Sequence, residues 1–87
     1  MEKIDIKIEH SVGLHARPAS LFVQTASKYR SDISITYDGE TKNAKSILGV
    51  LSLGVGKDSQ ITIIAEGEDE TDAIEALSEL IESNFGE

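Results

Sequence analysis

The chain contains no cysteine. That excludes a disulfide, a thiolate nucleophile and any cysteine–zinc site, and it fits a reducing compartment such as the cytosol. Long apolar runs are also missing, so no segment reads as a membrane span. The opening MEKIDIKIEH is too polar for a secretory signal. A third lack concerns charge. Glu66 to Glu87 carries nine acids and no base, whereas Met1 to Ala65 carries seven acids against eight bases. The acidic stretch reads as a solvated helix face. It argues against nucleic acid as a partner, because neutralising phosphates needs clustered Lys and Arg, and it places any site for an anionic group in the N-terminal two-thirds. The expectation is a cytoplasmic protein that binds neither nucleic acid nor membrane.

What is present is a folding pattern. With 87 residues the sequence is expected to form one domain, residues 1–87, whose core is thin because small domains bury only about 60% of their unfolded surface. Ile4, Ile6 and Ile8 alternate with polar residues and predict a half-buried strand. His10 to Leu14 breaks the alternation and reads as a loop, with His10 a solvent-facing residue at the strand's end. Ala19, Phe22, Val23 and Ala26 lie on one helical stripe between Ala16 and about Ser27, extendable to Tyr29. Ile33, Ile35 and Tyr37 form a second strand, turned by Asp38-Gly39 into a short return over 40–43. Ser46 to Leu53 predicts a short helix closed by Gly54 and Gly56. Ile61 to Ala65 is a further strand. Ala73, Ile74, Leu77, Leu80 and Ile81 make an amphipathic helix over 70–83. The order is β-α-β-β-α-β-α. Strands with one polar face leave that side of the sheet to water, so the helices should cover the other side of a two-layer α+β domain.

Two constellations stand out. In Gly13-Leu14-His15-Ala16-Arg17-Pro18, the proline is acceptable in a helix's first turn, which places His15 at or near the N-cap. Histidine is not an expected N-cap residue. The free amides and the positive dipole end make an anion site there, and Arg17 adds a permanent cation. A histidine there is expected to act as a nucleophile, and a phosphoryl group once attached would be stabilised by the amides and Arg17. A plainer reading makes His15 a loop histidine and Arg17 a solvated helix residue. The residues themselves leave phosphate binding and phosphate transfer both open.

In the second, Ser46 is a favourable N-cap for the helix carrying Ile47, Leu48, Val50, Leu51 and Leu53. These apolar side chains cover nearly its whole circumference, more than one buried stripe can hide. Val50 and Leu53 are expected in the core. Ile47, Leu48 and Leu51 are expected to face water and to form a partner-docking surface.

Gly13-Leu14-His15-Ala16-Arg17-Pro18-Ala19 resembles the active-site motif of the HPr family of the phosphoenolpyruvate-dependent sugar phosphotransferase system. The resemblance covers essentially the whole chain. It implies an open-faced sandwich, a four-stranded antiparallel sheet with three helices on one face. It implies a phosphocarrier rather than an enzyme, in which His15 takes a phosphoryl group on Nδ1 from enzyme I and passes it to IIA domains of sugar permeases while Arg17 helps hold the phosphate. Lys45-Ser46-Ile47-Leu48-Gly49-Val50-Leu51-Ser52-Leu53-Gly54 and Gln24-Thr25-Ala26-Ser27-Lys28-Tyr29 resemble the Gram-positive branch. There the serine matching Ser46 is phosphorylated by an HPr kinase/phosphorylase, and the modified protein binds a LacI-type catabolite regulator. No cofactor is implied, and a monomer is expected. The acidic tail exceeds the family pattern but lies far from both motifs.

Other constellations carry less. His10 and His15 lack the spacing and further ligands of a metal site. Ser11 near His15 has no nucleophile elbow around it, and Gly54-Val55-Gly56 lacks the lysine and spacing of a P-loop, so no nucleotide is expected. Two rival functions remain distinct. One is a regulatory paralogue acting through Ser46 alone, against which His15 counts; the other is a small-molecule sensor, which a ligand would stabilise thermally without any partner.

Overall fold

The computed structural model describes residues 1–9 and 13–86. The expected positions of His10 and Ser11 lie outside the described residues. The elements run β1 (Glu2–Lys7), α1 (Ala16–Ala26), β2 (Asp32–Tyr37), β3 (Glu40–Asn43), α2 (Ile47–Ser52), β4 (Gln60–Glu66) and α3 (Glu70–Glu82), followed by a short 3-10 turn at Asn84–Gly86. The four strands form one antiparallel sheet in the order β1-β4-β2-β3. The fold class is therefore the expected α+β open sheet with three helices.

Register explains the two faces. Ile4 pairs with Ile63 and Ile63 with Ile35, so these side chains share the face toward the helices. On that face Ile33, Ile35, Ile61, Ile63 and Ala65 are buried. The intervening Ser34, Thr36, Thr62 and Ile64 are only half-buried on the opposite face, as strand alternation requires. Asp38 and Gly39 both take positive φ, 52° and 81°, the left-handed pair that a two-residue hairpin needs. The helical stripe of α1 is buried at Ala19, Phe22 and Ala26, and α3 buries Ala73, Ile74, Leu77 and Ile81. These join the sheet in one hydrophobic core, with Tyr29 and Leu80 packed against its margin.

Two features of the C-terminal third differ from the sequence expectation. Asp69, within the stretch expected to be solvated, accepts hydrogen bonds from the Arg30 N–H at 2.8 Å, the Ser31 N–H at 2.9 Å and the Ser31 hydroxyl. It sits at the N-cap of α3 but makes no cap bond there; its carboxylate instead ties α3 to the turn after α1. A buried residue also lies past the helix expected over 70–83. Phe85 lies beyond α3 and is buried, held by positive φ at both Asn84 (60°) and Phe85 (58°). Such angles are unusual for residues other than glycine, and burial of a large aromatic ring offsets their cost.

Candidate functional site

His15 is the N-cap of α1, extended at φ −79° and ψ −172°, and its side chain makes no capping hydrogen bond. Its carbonyl accepts the first helical bond, from the Ala19 N–H at 2.8 Å. The imidazole is thus left outside the helix while the backbone begins it. A helix start leaves its first amides without intrahelical acceptors; here these are the Ala16 and Arg17 N–H groups, since Pro18 has none. No acid occupies the first turn. Arg17 is exposed, and among the described residues no carboxylate forms an ion pair with it. Among the described residues, a cation without an ion pair and two amides without an intrahelical acceptor thus stand at the positive end of α1, next in sequence to an exposed histidine, an arrangement suited to an anionic group.

The loop before His15 is fastened to the far end of α2. Leu14 is buried and its N–H donates to the Val55 carbonyl at 2.9 Å. Between these segments lies an open cleft of about 200 Å³ lined by Leu14, His15, Ala16, Leu51, Gly54, Val55 and Gly56. A larger depression of about 360 Å³ at the β2–β3 edge, bordered by Asp32, Lys42 and Lys45, contains none of the expected site residues. The structure thus brings His15 and Leu51 together and leaves Ser46 at the other end of α2.

Ser46 caps α2, its hydroxyl oxygen accepting from the Gly49 N–H at 3.1 Å. Along α2 and its C-cap Leu53, burial divides as the apolar excess predicts. Val50 and Leu53 are 0% and 8% exposed, whereas Ile47, Leu48 and Leu51 are 38%, 77% and 37% exposed. Sequence reasoning missed the contributions of Leu14, Val55 and Gly56. Its only signal was the Gly54-Val55-Gly56 run, which it read as a helix stop. Gly54 does play that part at φ +66°, but the next two residues also wall the cleft. Among the described residues no group of three or more His, Asp or Glu side chains is placed to hold a metal ion, and no helix is long and apolar enough to cross a membrane.

Comparison with known proteins agrees with this geometry. A family model described as the PTS HPr component phosphorylation site matches residues 2–83. Among solved structures the chain is similar to HPr-C-His from Thermoanaerobacter tengcongensis, at 54% identity and a TM-score of 0.98, covering 100% of this chain and 98% of that one. It is similar to the phosphocarrier protein HPr from Bacillus anthracis at 46% identity and a TM-score of 0.89, covering 92% of this chain and 95% of that one. It is also similar, at 42% identity and a TM-score of 0.76 over 97% of each chain, to Crh, a catabolite-repression protein of Bacillus subtilis whose structure is a domain-swapped dimer.

Proposed function

The chain belongs to the HPr family of phosphocarriers, and from that premise we propose that it carries phosphoryl groups on His15 from enzyme I to IIA domains of sugar permeases. The single observation that carries this reading is the placement of His15 as an uncapped residue at the start of α1, beside Arg17 and the free amides. A neutral imidazole nitrogen attacks phosphorus; the N–P bond forms as the bond to the donor breaks, and the donor keeps that electron pair. Arg17 and the Ala16 and Arg17 amides then meet the charge on the phosphoryl oxygens.

Ser46 is the proposed regulatory site, phosphorylated by an HPr kinase/phosphorylase in a form read by a LacI-type catabolite regulator. Ile47, Leu48 and Leu51 are the proposed docking surface. The proposed working unit is one domain, residues 1–87, in the cytoplasm and without a cofactor. The proposed working unit is also a monomer, although similar chains form dimers, one of them domain-swapped; sedimentation of the purified protein distinguishes the two.

Incubation with enzyme I and phosphoenolpyruvate tests the central reading. The protein should gain one acid-labile phosphate, and a His15→Ala variant should fold and gain none. Normal labelling of that variant would overturn the assignment.

A further inference from the structure

Gly13 occupies a place where no side chain fits. Its φ is +67°, and a Cβ built on it would lie 2.4 Å from the Val55 carbonyl oxygen, 2.6 Å from the Gly56 Cα and 2.8 Å from the Gly56 carbonyl carbon. All three obstacles are backbone atoms, so no rotamer change can relieve the contact. The next residue fastens the same two segments a second time, through the hydrogen bond from Leu14 to Val55. Leu14 and Val55 are also 3% and 2% exposed, so both sides of the joint are anchored in the core. His15 follows directly, one residue beyond the joint.

We propose that Gly13 is a positioning residue for phosphoryl transfer: its bare Cα lets the loop lie against the Val55–Gly56 backbone, and that contact fixes the His15 imidazole over the cleft it shares with Leu51. This rests on the reading of His15 as phosphoryl acceptor and names what holds it in place. A methyl group at position 13 would have to lift the loop or shift Val55–Gly56. Either movement displaces His15 relative to Leu51 and the α1 amides. The most exposed docking residue, Leu48, lies near the start of α2, away from the joint. A change at position 13 should therefore fall more on alignment of the reacting nitrogen than on docking at Leu48.

The test is rapid-quench phosphoryl transfer from phosphorylated enzyme I, over a range of concentrations, for the parent, Gly13→Ala, Leu14→Ala and Leu77→Ala. Leu77 is fully buried in α3, on an element other than the two segments of the joint, so Leu77→Ala reports what lost stability alone does. All rates are taken where circular dichroism shows each protein folded. Gly13→Ala should lower the rate at saturation by at least about tenfold, since misplacement by about 1 Å can cost on the order of a hundredfold. Its half-saturating concentration should change less than its saturating rate, because Ile47 and Leu48 at the start of α2 are undisturbed. Leu77→Ala should keep both parameters. Leu14→Ala keeps the glycine but loosens the same joint, and its saturating rate should also fall; if Gly13→Ala does not fold, Leu14→Ala decides the matter. A parent-like saturating rate in the deciding variant, or an equal loss in Leu77→Ala, overturns the role of Gly13. A parent that takes no phosphate overturns the reading of His15 itself.

Discussion

His15 and Leu51 line one cleft of about 200 Å³, so the histidine that begins α1 and an apolar residue of α2 present themselves to a partner together. Whatever approaches the imidazole closely must also cover the exposed side of α2. On the proposed reading, the apolar surface there would belong to the same contact as the chemistry.

Leu48 is the sharpest probe of that surface, because it is 77% exposed and has little to lose in the free protein. Burying such a side chain in a complex is worth about 1.5–3 kcal/mol, and every 1.4 kcal/mol or so is tenfold in affinity. Leu48→Asp should weaken binding to enzyme I by about tenfold or more, measured by calorimetry. Its melting temperature should stay close to the parent's. A large stability loss would mean that Leu48 contributes to the core and would remove the support for docking.

Arg17 is exposed and unpaired among the described residues. Removing it should cost the fold almost nothing, and the loss should fall on the phosphorylated state. A hydrogen bond to a charged group is worth about 1.5–3 kcal/mol, so Arg17→Ala should slow transfer through His15 by roughly ten- to a hundredfold. Arg17→Lys should recover part of that, keeping the charge but not the forked donors. Parent-like transfer by Arg17→Ala would assign the phosphate's stabilisation to the backbone amides alone.

How far the sequence revealed this site depends on the range of each interaction. The α1 stripe, the Asp38-Gly39 turn and the division of α2 into Val50 and Leu53 against Ile47, Leu48 and Leu51 follow from local periodicity and turn chemistry, and all are legible. The position of His15 at the N-cap follows from Pro18 three residues later. The pairing of β1 with β4 is not legible, since nothing local distinguishes Ile4 opposite Ile63 from other partners of similar pattern. The wall of the cleft formed by Val55 and Gly56 is hidden for the same reason: it meets Gly13 only after the chain has folded back. Asp69 shows the limit of reading charge by composition. One acid among nine in the tail is bonded to residues 38 and 39 positions away, and the run of like charge conceals it.

Asp69 also makes the fold sensitive to acid. The Ser31 hydroxyl first, and then the Arg30 N–H, donate to its carboxylate and lower its pKa from 3.8 to about 2. A carboxyl group with a lower pKa in the folded than in the unfolded chain stabilises the fold fully above its unfolded value. That contribution is lost as pH falls through the folded value. The melting temperature should therefore drop between about pH 4 and pH 2. Asp69→Asn should melt lower than the parent at pH 7 and lose less on acidification. The flattening should be partial, because Glu70 is also lowered, chiefly by its bond to the N-terminal amine. A parent and an Asp69→Asn variant with parallel pH profiles would show that the Ser31 and Arg30 bonds persist without the charge.

On the proposed reading, changes at Ser46 should separate stability from signalling. Its hydroxyl oxygen accepts from the Gly49 N–H at 3.1 Å, so Ser46→Ala should cost about 1 kcal/mol, the usual worth of an N-cap. Ser46→Asp retains a capping acceptor at the positive end of α2 and should melt near the parent temperature. Its effect should appear in transfer instead. Ser46 immediately precedes Ile47 and Leu48, so a charge there must be desolvated by any partner that covers the apolar side of α2. It would also repel acidic groups on that partner. A phosphate brings about −1.5 to −2 charges at neutral pH, more than aspartate, so phosphoserine should slow phosphorylation of His15 more strongly than Ser46→Asp does. The decisive comparison is between unmodified protein and protein phosphorylated at Ser46 by an HPr kinase, both offered to phosphorylated enzyme I. Equal rates at His15 would reduce Ser46 to a helix cap as far as transfer is concerned; a slower rate with unchanged melting would place its action at the partner's contact rather than in the fold.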